Sequence, residues 1–100
     1  MPASLVRFHP NARDEAYRGV EYYRERSPIA AERFGAAIEH AVAVIADSPE
    51  RWPRHLFGTR RYVFSGFPYS LVYRVGQKSV EVYAVAHAKR RPGYWRRRKF

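Results

Sequence analysis

Two helical patterns meet at Ser27-Pro28 with almost no loop between them, and that junction restricts the chain to a helical hairpin. Before it, Ala12, Ala16, Val20 and Tyr23 recur at spacings of four and three, with Arg13, Asp14, Glu21, Arg24 and Glu25 on other faces. After it, Phe34, Ala37, Ile38, Ala41, Val42 and Ile45 form one stripe of a helix expected from Ile29 to about Asp47. Ser27 supplies an N-cap, and Pro28 sits at the first helical position, where its missing N–H is harmless. Helices joined this tightly run antiparallel and bury their stripes on a common layer.

The rest of the chain supplies that layer. Ala3 to Phe8 reads as a short strand, stopped by His9-Pro10-Asn11. The first helix then opens either with His9 as cap before Pro10 or with Asn11 as cap and Asp14 three residues on. Ser48-Pro49 ends the second helix, and Pro49 to Thr59 lacks periodicity, so it is a loop in which Trp52 is expected to plug the end of the core. From Arg60 the period becomes two: Arg60 to Phe64, a turn through Ser65-Gly66-Phe67-Pro68, Tyr69 to Val75, a hairpin turn over Gly76 to Ser79, and Val80 to His87. Val80, Val82, Ala84 and Ala86 are expected to share one face of the last strand. The expected fold is α+β: an N-terminal strand, an antiparallel helical hairpin, and a three-stranded antiparallel meander with the helices on one sheet face. A single domain is expected over residues 1–95, with 96–100 as a basic C-terminal tail.

Charge is concentrated where the sheet ends. The chain has 19 Lys and Arg against 9 Asp and Glu, a formal net charge of +10. Seven of those cations fall in residues 89–99, a stretch without an acid that also holds Tyr94 and Trp95. Such a segment attracts polyanions or an acidic protein, with an affinity that falls as salt rises. Without cysteine there is no disulfide framework and no thiolate metal site, which fits a reducing cytosol. His9, His40, His55 and His87 are scattered without metal-ligand spacing, so no metal or cofactor is expected. No apolar run is long enough to span a membrane, and residues 1–8 lack the basic leader and cleavage site of a signal peptide. A cytoplasmic location is the expectation.

The order of elements and several local words resemble the RelE/ParE superfamily of bacterial type II toxins. The matching words are Phe8-His9-Pro10-Asn11-Ala12, Glu21-Tyr22-Tyr23, Ala31-Glu32-Arg33-Phe34, Ser48-Pro49 and Arg60-Arg61, then Phe67 to Val75 and Val85 to Trp95. Together they cover nearly the whole chain, and the pair Phe-Pro-Tyr…Val-Tyr-Arg and Val-Ala-His…Arg-Arg-Pro-Gly-Tyr-Trp is similar to the ParE branch. The resemblance implies a cytoplasmic toxin held in a hetero-oligomer by a cognate, acidic antitoxin. For the ParE branch it implies inhibition of DNA gyrase by binding, without hydrolysis. For the RelE branch it implies cleavage of messenger RNA on the ribosome.

Those two activities ask different things of the same residues. RNA cleavage through 2′-OH attack needs a base, cations at the phosphate and a donor to the leaving oxygen. Arg61, Arg74, His87, Arg90 and Tyr94 would be that set. Ser70 stands where RelE-like ribonucleases tend to carry arginine, and Tyr62-Val63-Phe64 where they tend to carry alternating lysines, so this chain departs from the ribonuclease pattern. The target-binding set is His87, Lys89, Arg90, Arg91, Tyr94, Trp95, Arg96 and Arg97, and the antitoxin-binding set Arg60, Arg61, Arg74 and Arg90. Arg60 and Arg61 lie on opposite faces of a strand, so at most one joins any given site, and Arg74 has Glu81 as a structural partner across the hairpin. A third reading is a non-toxic basic binding protein that keeps the antitoxin contacts.

Overall fold

The computed structural model describes residues 4–100; Ala3, the expected start of the first strand, lies outside them. The elements are β1 (Leu5–Phe8), α1 (Pro10–Arg24), α2 (Pro28–Asp47), a short 3-10 turn at Leu56–Gly58, β2 (Arg60–Val63), β3 (Tyr69–Val75) and β4 (Ser79–His87). His9 proves to be the cap of α1, its Nδ1 accepting from the Asn11 N–H at 3.0 Å, and Asn11 lies inside the helix. Ser27 caps α2 by accepting from the Ala30 N–H at 3.2 Å, with Pro28 first in the helix. Each Pro occupies a position whose N–H would have lacked a helical partner.

The four strands lie in the order β1-β4-β3-β2. β2, β3 and β4 form the antiparallel meander, and β1 joins β4 in parallel, Leu5 opposite Ser79 through Phe8 opposite Val82. The last strand is therefore interior, and its end carries the basic segment onto the sheet rather than away from it. The hairpin covers one sheet face, where Ala12, Ala41 and Ile45 pack with Leu71, Tyr73, Val80 and Val82, and Trp52 closes the end against Tyr62. Gly19 of α1 leaves room for α2: a Cβ there would lie 2.7 Å from Cε2 of Phe34. The Phe34 ring fills that space and meets Tyr23, Phe67 and Tyr69 at centroid distances of 5.4, 4.9 and 4.8 Å.

One expectation for β4 fails. Val72 pairs with Ala84 but Tyr73 pairs with Val82, so a bulge leaves Tyr83 without a register partner. Side chains beyond a bulge change face relative to a regular strand. Val80 and Val82 point to the helices, whereas Ala84 and Ala86 pack with Val72, Tyr83 and Trp95 in a second cluster on the opposite face. The bulge thus gives the sheet a small apolar patch on its helix-free side, and the C-terminal segment covers it.

Candidate functional site

Residues after His87 turn back across the helix-free face. Arg90, Tyr94, Arg96 and Arg98 donate backbone N–H groups to carbonyls three residues earlier, at 3.0–3.1 Å, so the segment is a succession of tight turns. Gly93 has φ +78, so the backbone requires glycine, and a Cβ there would lie 2.7 Å from Cε2 of the exposed Phe57 ring and push it aside. These turns bring Trp95 down onto Tyr83 and Ala84, where only 2% of it stays exposed. His55 and Phe57 flank the indole from the loop before β2, at centroid distances of 6.0 and 6.1 Å.

A carboxylate that sequence reasoning missed fixes this arrangement. β1 stops opposite Val82, leaving the following edge of β4 unpaired. Glu15 of α1 takes its place, accepting from the Val85 N–H at 3.1 Å. The same carboxylate accepts from the Tyr94 hydroxyl at 2.6 Å and from the Arg98 guanidinium at 2.9 and 3.0 Å, with Arg90 a further 3.8 Å contact. Arg98 also donates to the Tyr83 carbonyl at 2.9 Å. Burial, then the Glu15 hydrogen bond and charge, push the Tyr94 hydroxyl far above its ordinary value of 10.0. The sequence signal for Glu15 is its place among Ala12, Ala16 and Gly19, small residues that let a helix face approach a neighbour.

Beside this lock lies a groove of about 140 Å³ lined by Arg61, Ser70, His87, Arg90, Arg91, Tyr94 and Trp95, among others. Arg61 reaches it from β2, and His87 from the end of β4. The His87 Nδ1 accepts from the Lys89 N–H at 3.0 Å, and its ring meets Tyr69 edge-on at 5.0 Å. Arg90 stacks over the Tyr94 ring at 3.8 Å. Burial, and then the charge of Arg61, hold His55 below its ordinary value of 6.5. Lys89 is exposed, and Arg96 and Arg97 line a neighbouring hollow with Arg91 and Gly93.

The structure therefore gathers His87, Arg90, Arg91, Tyr94 and Trp95 with Arg61, and separates two other arginines from them. Arg60 faces away, donating to the Trp52 carbonyl at 2.7 Å beside a hollow formed with Arg54 and His55. Arg74 pairs with Glu81 at 3.5 Å and stacks over Tyr83 at 5.0 Å, at the other end of the sheet. Among the described residues no three His, Cys, Asp or Glu side chains come together to hold a metal.

Residues 6–92 match the family model described as ParE toxin of type II toxin-antitoxin system, parDE. The chain belongs to the ParE toxin family. Among solved structures it is similar to a chain of the chromosomal ParDE TA system from P. aeruginosa, with a TM-score of 0.74 and 16% identity over 85% of this chain and 96% of that one. At that identity the likeness is one of fold, the two-helix, four-stranded α+β arrangement described above. The search of curated proteins returns no match. The ParE match ends at residue 92, before Trp95 and Arg98, which anchor the segment to the sheet and to α1.

Proposed function

We propose that this ParE-family toxin acts in the cytoplasm by binding DNA gyrase through the basic surface around His87, Lys89, Arg90 and Arg91, and that an acidic antitoxin neutralises it. The observation that carries the reading is the state of Tyr94. Its hydroxyl already donates to Glu15, and burial beside that carboxylate strongly opposes ionisation. A phenol in that position is a poor general base, and transferring its proton would leave two anions together. Arg61, Arg90 and Arg91 remain, beside His87, as a cationic surface suited to gripping a macromolecule rather than to cutting one.

Separation of Arg60, Arg61, Arg74 and Arg90 supports an antitoxin that wraps the toxin. Arg60, Arg74 and the pair Arg61 and Arg90 line three different hollows, so one compact acidic patch cannot meet them all. An extended acidic segment that folds on binding can.

Purified protein added to gyrase and supercoiled plasmid is expected to block supercoiling or trap cleaved DNA. An absence of effect at excess toxin, with cuts appearing in ribosome-bound message, would replace this reading with a ribonuclease; silence in both assays would leave a non-toxic binding protein.

A further inference from the structure

At the other end of the helix-free face, four aromatic rings run in series. Phe57 meets Trp95 at 6.1 Å, Trp95 meets Tyr83 at 6.3 Å, and Tyr83 meets Phe100 at 4.9 Å. The inner two are buried, at 2% and 5%, whereas the outer two are exposed at 57% and 42%. Anchored rings thus hold two exposed ones at the margins of a hollow of about 460 Å³. That volume lies within the range of sites for small organic groups, roughly 300–1,000 Å³.

The hollow is also cationic. Arg74, Arg96, Arg98 and Lys99 line it, with Glu81 the one acidic side chain among the lining residues. Arg74 is paired with Glu81 and Arg98 with Glu15, but among the described residues neither Arg96 nor Lys99 has an acidic partner. A guanidinium accompanies each exposed ring: Arg96 lies 5.5 Å from the Phe57 centroid and Arg7 lies 5.8 Å from that of Phe100. Phe57 itself has φ 57 and ψ 42, a left-handed conformation that is costly for a bulky residue. The backbone is held there while the ring stays largely in solvent, so core burial does not account for the cost.

We propose that this hollow binds single-stranded nucleic acid, with bases stacked on Phe57 and Phe100 and phosphates met by Arg96 and Lys99. Alternation of exposed rings with unpaired cations is the arrangement that sequence-tolerant single-strand binding uses. Protein interfaces are also enriched in aromatic residues and arginine, so an acidic protein segment is the rival occupant, which competition by poly-glutamate distinguishes. The site is separate from the groove at His87, and its Trp95 floor is shared with it.

The test is fluorescence anisotropy of a labelled 12-residue oligodeoxythymidine with the full chain, beside a duplex of equal length and poly-glutamate as competitor. The single strand is expected to bind more tightly than the duplex. Phe57→Leu and Phe100→Leu are each expected to weaken it about fivefold or more, while Phe57→Tyr retains binding. Arg96→Gln with Lys99→Gln should flatten the salt dependence. Circular dichroism and melting curves identify any variant that fails to fold, and Phe100→Leu, at the chain end, serves if Phe57→Leu does. Equal affinity for duplex and single strand, parent-like binding by folded Leu variants, or equal competition by poly-glutamate per unit charge would overturn the proposal.

Discussion

The guanidinium of Arg98 forks onto the carboxylate of Glu15 at 2.9 and 3.0 Å, joining residues 83 positions apart. Both side chains are only 14% exposed. With the Tyr94 hydroxyl and the Val85 N–H on the same carboxylate, one acid ties the C-terminal segment to α1 and to the open edge of β4. The last turns of the chain are thereby part of the fold, and the cations that remain outward are presented on a fixed surface.

Glu15→Gln removes the charge while nearly keeping the shape. Arg98 would then be a largely buried cation without its anion, and breaking such a pair costs about 3–5 kcal/mol. A loss of that order is expected in urea or guanidinium unfolding. Adding Arg98→Met should recover part of the loss, because the double variant buries no unmatched charge.

The hairpin was legible because Ser27-Pro28 is both a cap and a helix start, a combination with one local solution. Period two identified the meander strands for the same local reason. The bulge was not legible: Val82 to Ala86 is apolar at every position, so either register buries apolar groups, and pairing with β3 decides between them. Glu15 was hidden for a related reason, since its partners Val85, Tyr94 and Arg98 lie 70 or more residues away. The part of the cluster from His87 to Trp95 could be read from the sequence because its members are close along the chain, whereas Arg60, Arg61 and Arg74 depended on strand faces and ends.

Gly93→Ala tests the turn that seats Trp95. The substitution forces a side chain into φ +78 and against the Phe57 ring. Left-handed backbone costs a non-glycine residue about 1–2 kcal/mol. A comparable drop in stability is expected, with a red-shifted Trp emission as Trp95 loosens, and an unchanged spectrum would show the turn to be permissive.

Alkaline titration probes Tyr94. Its folded pKa is raised, first by burial and then by Glu15, so the stability it contributes is present below the unfolded value of 10.0. That contribution is lost as pH rises from there through the folded pKa. The parent should lose stability above about pH 10 more steeply than Tyr94→Phe, with stability followed by denaturant midpoint. Tyr69 and Tyr73, also raised by burial, give both proteins a shared residual slope.

Lys89 and Arg91 give the most direct test of target binding, because both are exposed and among the described residues neither pairs with an acid. The measurement is gyrase supercoiling against toxin concentration for the parent and for Lys89→Ala with Arg91→Ala, the melting point of each protein being recorded alongside. The parent is expected to inhibit, and the double variant to require about tenfold more protein or greater at an unchanged melting point. Inhibition curves that coincide, or a parent without effect on gyrase at any concentration, would contradict binding through this surface.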